Sequence, residues 1–355
     1  MRDSIRIALD AMGGDHAPQI IVEGADIARK KYRNASFQFY GDEKQISVIL
    51  EKLPKLKAIS TIHHTDDKID NDTKPSVALR KGRNSSMRLA INAVYNGEAD
   101  CIVSAGNTGA LMAMAKFVLK VLPGVTRPAI ASYYPTMRKN HGTVLLDLGA
   151  NIECSGRNLA EFSVLGSVFA HEILDIETPK VGLLNVGEEE MKGNESVQDA
   201  AKILSKLSLP NYNYVGFVEG NDITNGSVDV VTTDGFTGNV TLKSSEGLAK
   251  MISYMIKDIF KSSPLSWLAL PLLLPVIYKL KKRMDPRRYN GGVFMGLRGL
   301  CVKSHGGTDG LGFANAVGVA AEMVQRDFNS KLAKQLDQLT PALEAQSETT
   351  ETDKA

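Results

Sequence analysis

The sequence predicts an α/β protein built on a mainly parallel sheet. Three observations predict it. Short apolar runs alternate with longer stretches of helical periodicity, which is the pattern of βαβ units. Several of those runs end directly in turns rich in Gly, Asp and Asn. The chain has 355 residues, 43% hydrophobic and 23% charged. That is enough for one large α/β domain, or two intimately joined ones, around a real core.

Taken in order, strands are expected at 5–9, 37–40, 59–63, 101–104, 129–133, 143–148, 181–184, 214–218, 228–232 and 299–302. Each is short, apolar and bounded by turn residues. Helices are expected at 20–31, 43–52, 85–95, 111–122, 159–174, 197–207, 242–260 and 311–328. Pro75 also marks a helix start, because its ring suits the first helical turn. The globular unit is expected to span 1–335, with a polar, disordered tail at 336–355 that is poor in large apolar groups.

Six Gly-rich turns follow these strands. They hold Asp15 and His16; Ser104, Gly106, Asn107, Thr108 and Gly109; Asn151; Lys192; Asp234, Gly235 and Asn239; and His305. In an open parallel sheet, loops at the strands' carboxyl ends share one edge. The expectation is one cleft lined by all six. The 104–109 turn is the best anion cradle, with small residues, side-chain donors and a helix immediately behind it. It lacks the Lys-Ser/Thr ending of a P-loop, and it is not a dinucleotide fingerprint.

The residues also exclude chemistries. There is no G-x-S-x-G and no H-E-x-x-H. Cys101, Cys154 and Cys301 are far apart, which argues against a disulfide framework or zinc site and for a reducing cytoplasm. No metal or other cofactor is required. A net charge of +2 gives no general pull toward nucleic acid. An attacking substrate oxygen would need only an anion site, oxyanion donors and orientation. Lys192 can supply a point charge, or it can simply pair with the acids at 188–190. His16 and His305 can donate to an anion or cap a turn.

One local imbalance stands out. An apolar run of about 14 residues, short of the roughly 20 that span a bilayer, follows Pro264. Seven basic residues and one acid lie between Lys261 and Arg288. Trp267, Leu270, Leu273 and Leu274, followed by Lys281 and Lys282, suit a segment lying in a membrane interface against anionic lipid. A core or dimer helix is the alternative.

Together the motifs DAMGGDHAP, KPSVALRKGRNSSM, SAGNTGA, LDLGAN, NVGEEEMKGNE, TTDGFTGNVTLKSSEG and HGGTDG resemble the bacterial phosphate acyltransferase (PlsX-type) family over residues 4–330. The resemblance implies a three-layer α/β/α sandwich like those of phosphotransacetylase and the isocitrate/isopropylmalate dehydrogenases, in a homodimer. It implies transfer of an acyl group from acyl carrier protein to inorganic phosphate, with the acyl phosphate passed to a membrane glycerol-3-phosphate acyltransferase. It raises Lys192 and Asn239 as catalytic candidates beside His16. It also makes 261–290 a membrane-touching insertion on a peripheral, cytoplasmic enzyme. An acyl-CoA-dependent phosphotransacetylase, a noncatalytic lipid-binding module and a related dehydrogenase are the rivals.

Overall fold

The computed structural model describes residues 4–138, 142–262, 274–275, 278–279 and 285–337. Eleven strands form one sheet in the order β3-β2-β1-β4-β11-β10-β5-β6-β9-β7-β8. These are β1 Ile5–Asp10, β2 Ala35–Gly41, β3 Ser60–His64, β4 Cys101–Ser104, β5 Ala129–Pro135 and β6 Gly142–Leu146. The rest are β7 Lys180–Leu184, β8 Asn213–Val218, β9 Val230–Thr232, β10 Gly292–Met295 and β11 Leu300–Lys303. Seven of the ten strand pairings are parallel, so the mainly parallel sheet is observed.

Helices cover both faces. Along β1, Ile5, Ile7 and Leu9 enter one core and Ala8 the other, because successive side chains leave opposite faces of a strand. The first core is closed by α1 (Gln19–Lys31), α7 (Gly156–Leu174), α8 (Glu195–Ser205) and α11 (Gly310–Gln325). The second is closed by α4 (Pro75–Lys81), α5 (Ser86–Tyr95) and α6 (Thr108–Leu119). Burial on both faces explains why inner strands such as β4 and β9 read as continuous apolar runs rather than alternating ones. Short helices α2 (Glu43–Leu50), α3 (Pro54–Lys57) and α9 (Gly220–Asn225) complete the layers around α10 (Gly235–Ser262).

Four expectations change. β10 was not foreseen; its four residues begin on the second glycine of a Gly-Gly pair that reads as loop. α10 begins at Gly235, seven residues before its apolar periodicity starts, because Asp234 accepts from Thr237 N at 2.8 Å and caps it. Most important, β10 is antiparallel to both β11 and β5, and β5 is antiparallel to β6. Strands β6, β9, β7 and β8 therefore run opposite to β1, β2, β3, β4 and β11. The six turns do not share one carboxyl edge. Leu336 is also buried, one residue past the expected limit of the globular unit.

Trp267, Leu270, Leu273, Lys281 and Lys282 lie outside the described residues, as does the tail from 338. Leu274 is 54% exposed. No helix among the described residues is long and apolar enough to cross a membrane.

Candidate active site

Two groups of turns form, each organised by a buried aspartate at the end of a strand. Asp10 ends β1. It accepts Ser86 Oγ and Ser104 Oγ, both at 2.6 Å. This ties β1 to the turn after β4. Asp15 N donates to Gly306 O (3.0 Å), and Ser304 N to Ser104 O (2.8 Å). The turns after β1, β4 and β11 are thus one hydrogen-bonded unit.

The second aspartate, Asp147, follows β6. It accepts Ile130 N (2.9 Å), Ala150 N (3.0 Å), and Asn151 N (2.6 Å) and Nδ2 (2.8 Å). Asn151 O in turn accepts Gly235 N at 2.7 Å, seating the start of α10. Burial pushes both aspartate carboxyls upward, and their hydrogen bonds oppose the shift.

Helix α10 joins the groups. Gly238 packs so closely on β6 that an added Cβ would stand 1.9 Å from Asp147 O. Asn239 lies against Gly149. One turn later, Lys243 Nζ donates to His305 Nε2 at 3.2 Å. Four helical residues advance only about 6 Å. The two groups of turns, expected to share one edge, are therefore linked by a crossing helix instead.

The structure gives the sequence-predicted residues unequal freedom. Ser104 donates to Asp10 and accepts Gly106 N (3.0 Å). Asn107 caps α6 at Ala110 N (3.0 Å) and donates to Asn71 O (2.8 Å) and Thr73 O (3.0 Å). Asn151 and Asp234 are likewise engaged inside their turns. Asp15 accepts Asn71 Nδ2 at 2.8 Å. These five hold shape. Thr108 and Gly109 open α6, so their backbone N–H groups face outward from a helix start. Among the described residues, the side chains of Thr108, His16 and Asn239 have no internal hydrogen-bond partner, and His16 and Asn239 are exposed.

Lys192 sits in the turn after β7, the strand next to β9. Its Nζ pairs with Glu189 at 2.7 Å, and both side chains are exposed. No described contact joins it to Asn239 or Lys243; adjacency of strands brings it to the same end of the sheet.

Sequence reasoning missed Asp10, Asp147, Lys243 and Lys303. A polar residue closing a short, mostly apolar strand was the available signal for Asp10 and Lys303. Burial raises the thiols of Cys101 and Cys301 strongly, and that of Cys154 to about 12, so none offers a thiolate at neutral pH.

The fold is that of the phosphotransacetylases. The chain is similar to a phosphotransacetylase from Streptococcus pyogenes, with TM-score 0.60 and 18% identity, covering 91% of this chain and 94% of that one. Sequence then narrows the class. A family model described as "Fatty acid synthesis protein" matches residues 5–331. A phosphate acyltransferase from Rhodospirillum centenum is 57% identical, covering 97% of this chain and 96% of its own length. One from Paramagnetospirillum magneticum is 51% identical over 96% of this chain and 97% of its own. The chain belongs to this fatty acid synthesis protein family, as its motifs lead one to expect.

Proposed function

We propose that the chain transfers a fatty acyl group from acyl carrier protein to inorganic phosphate, releasing acyl phosphate for a membrane glycerol-3-phosphate acyltransferase. The observation that carries this is the crossing of α10, which links the turns after β1, β4 and β11 to a second group bearing Asn239. Family membership supports the same reaction.

A phosphate oxygen attacks the thioester carbonyl carbon; the C–O bond forms, the C–S bond breaks, and the carrier's thiolate leaves and takes a proton. No protein nucleophile is needed. Phosphate sits at the 104–109 turn, held by Thr108 and the α6 N–H groups. Asn239 and Lys192 stabilise the oxyanion or the leaving thiolate. His16 and His305 border the phosphate, and Asp15, Asn151, Asp234 and Gly235 keep the turns in place. Incubation with acyl carrier protein thioester and labelled phosphate should yield acyl phosphate. Equal or better turnover with acyl-CoA would favour a phosphotransacetylase instead.

The enzyme works as a homodimer at an anionic membrane surface. Leu248, Ile252 and Met255 lie on one face of α10 at spacings of four and three, and all are exposed. That is a coiled-coil seam in want of a partner helix. The apolar and basic stretch 264–283 supplies the lipid contact.

A further inference from the structure

The 104–109 turn spends much of its own hydrogen-bonding capacity on itself. The Ser104 hydroxyl, Gly106 N and the Asn107 amide all have internal partners. What remains is Thr108 and a helix start, with no formal charge. A phosphate dianion held there wants a cation.

One is present. Lys303 closes β11, and its Nζ donates to Ala105 O at 3.3 Å and to Ser304 O. Among the described residues it is the cation hydrogen-bonded to this turn. The turns after β1, β4 and β11 meet around it: an added Cβ on Gly14 would come within 3.0 Å of Ala105 Cβ and 3.1 Å of Gly306 O. An ammonium has three protons, and two are taken by these carbonyls. Among the described residues the third has no partner.

The alternative role is to neutralise Asp10. Against it, both Asp10 oxygens already accept serine hydroxyls. Among the described residues, no carboxylate lies within ion-pair distance of Lys303.

We propose that Lys303 is the cation of the phosphate subsite, its ammonium contacting an oxygen of inorganic phosphate seated at the 104–109 turn. The inference rests on the acyl-to-phosphate reading and adds a residue to it. The surroundings tune this group. Burial is the largest influence and lowers its pKa, Asp10 on β1 opposes, Lys243 on α10 lowers it further, and Asp15 and Cys301 raise it; the result is about 8. His305, on the adjoining turn, also lies in the field of Lys303. Lys303 is therefore charged at neutral pH and loses its charge as pH rises through about 8.

The test uses the full chain with Lys303→Met and Lys303→Arg. Losing one charged hydrogen bond should raise the KM for phosphate roughly 10- to 100-fold while sparing the KM for acyl donor. Lys303→Arg should restore much of the affinity. In wild type the phosphate KM should climb above pH 8; in Lys303→Arg that climb should be lost, because guanidinium does not titrate there. An unchanged phosphate KM in Lys303→Met overturns the proposal. If that variant does not fold, identical pH dependence in wild type and Lys303→Arg overturns it. Titration of inorganic phosphate against each protein, followed by ³¹P linewidth, reports the subsite without turnover. Failure of wild type to make acyl phosphate would instead sink the functional reading.

Discussion

Lys243 Nζ and His305 Nε2 stand 3.2 Å apart, one on helix α10 and the other on the turn after β11. The strand before α10 and the strand before His305 run in opposite directions, so this contact links turns that belong to two oppositely directed sets of strands. It also adds to the lowering of the histidine's pKa. Burial lowers the His305 pKa most, and Lys243 lowers it further. The imidazole is neutral at pH 7, able to accept from an ammonium.

Lys243→Met should therefore raise the His305 pKa, because removing a nearby cation makes protonation easier. The ring-proton shift of His305, followed by NMR across pH 4–8, checks the direction. A titration that moved down would mean that the side chains do not meet in solution.

The seating of α10 gives a paired stability test. Gly238→Ala puts a methyl 1.9 Å from Asp147 O, where backbone cannot yield cheaply. Overpacking of this kind costs about 1–3 kcal/mol. Gly247, on the same helix, has nothing within 4 Å of an added Cβ. Gly247→Ala should stabilise by about 0.5–1 kcal/mol through helix propensity alone. Urea midpoints of the two variants should move in opposite directions.

These glycines mark where the sequence was legible and where it was not. Residues buried on both faces, such as those of β1 and β4, announce their strands because apolar runs of that length have few other uses. The turn residues Asp15, Ser104, Asn151 and Asp234 were legible as a group, since Gly and Asp cluster after those strands. Strand direction was not. It depends on β10 and the β5–β6 hairpin, and β10 is too short and too close to glycines to read as a strand. Gly235 and Gly238 likewise read as loop, because their reason for being glycine lies in the Asp147 turn some 90 residues earlier. Lys303 was hidden for a similar reason: a lone lysine before a Ser-His turn acquires meaning only when Ala105 O is beside it.

Lys192→Ala should lower kcat by about 10²–10³, the usual loss for one preorganised electrostatic donor. Its pair with Glu189 is exposed on both sides. Solvent screens such an exposed pair, so the urea midpoint should hardly move. Turnover near wild type would remove Lys192 from the mechanism and leave it as the surface partner of Glu189.

Thr108→Val keeps the shape of the first residue of α6 and deletes its hydroxyl. The variant should weaken phosphate use more than acyl-donor use, by roughly 5- to 10-fold, the worth of one neutral hydrogen bond of about 1 kcal/mol or slightly more. Ser104→Ala should behave differently. Its hydroxyl serves Asp10, so its loss should lower the urea midpoint before it touches phosphate affinity. Varying each substrate separately distinguishes the two; equal effects on phosphate KM would place both hydroxyls against the anion.

The final prediction concerns the 264–283 stretch, read from its sequence. Burial of the apolar run and attraction of the basic cluster are separable forces. Leu273→Glu should abolish flotation with vesicles at any salt concentration, because a carboxylate enters the apolar layer only at high cost. Lys281→Glu combined with Lys282→Glu should reduce flotation chiefly on anionic vesicles, since each basic residue near such a surface contributes about 1 kcal/mol. That loss should shrink as salt rises and screens the attraction. Turnover on soluble acyl donor should survive both changes if the stretch only anchors the enzyme. Wild type that stays at the bottom of the gradient with anionic vesicles would turn the reading toward a core or dimer segment. Leu273→Glu that lowers the urea midpoint or splits the dimer would do the same, since a side chain resting in lipid has no part in either.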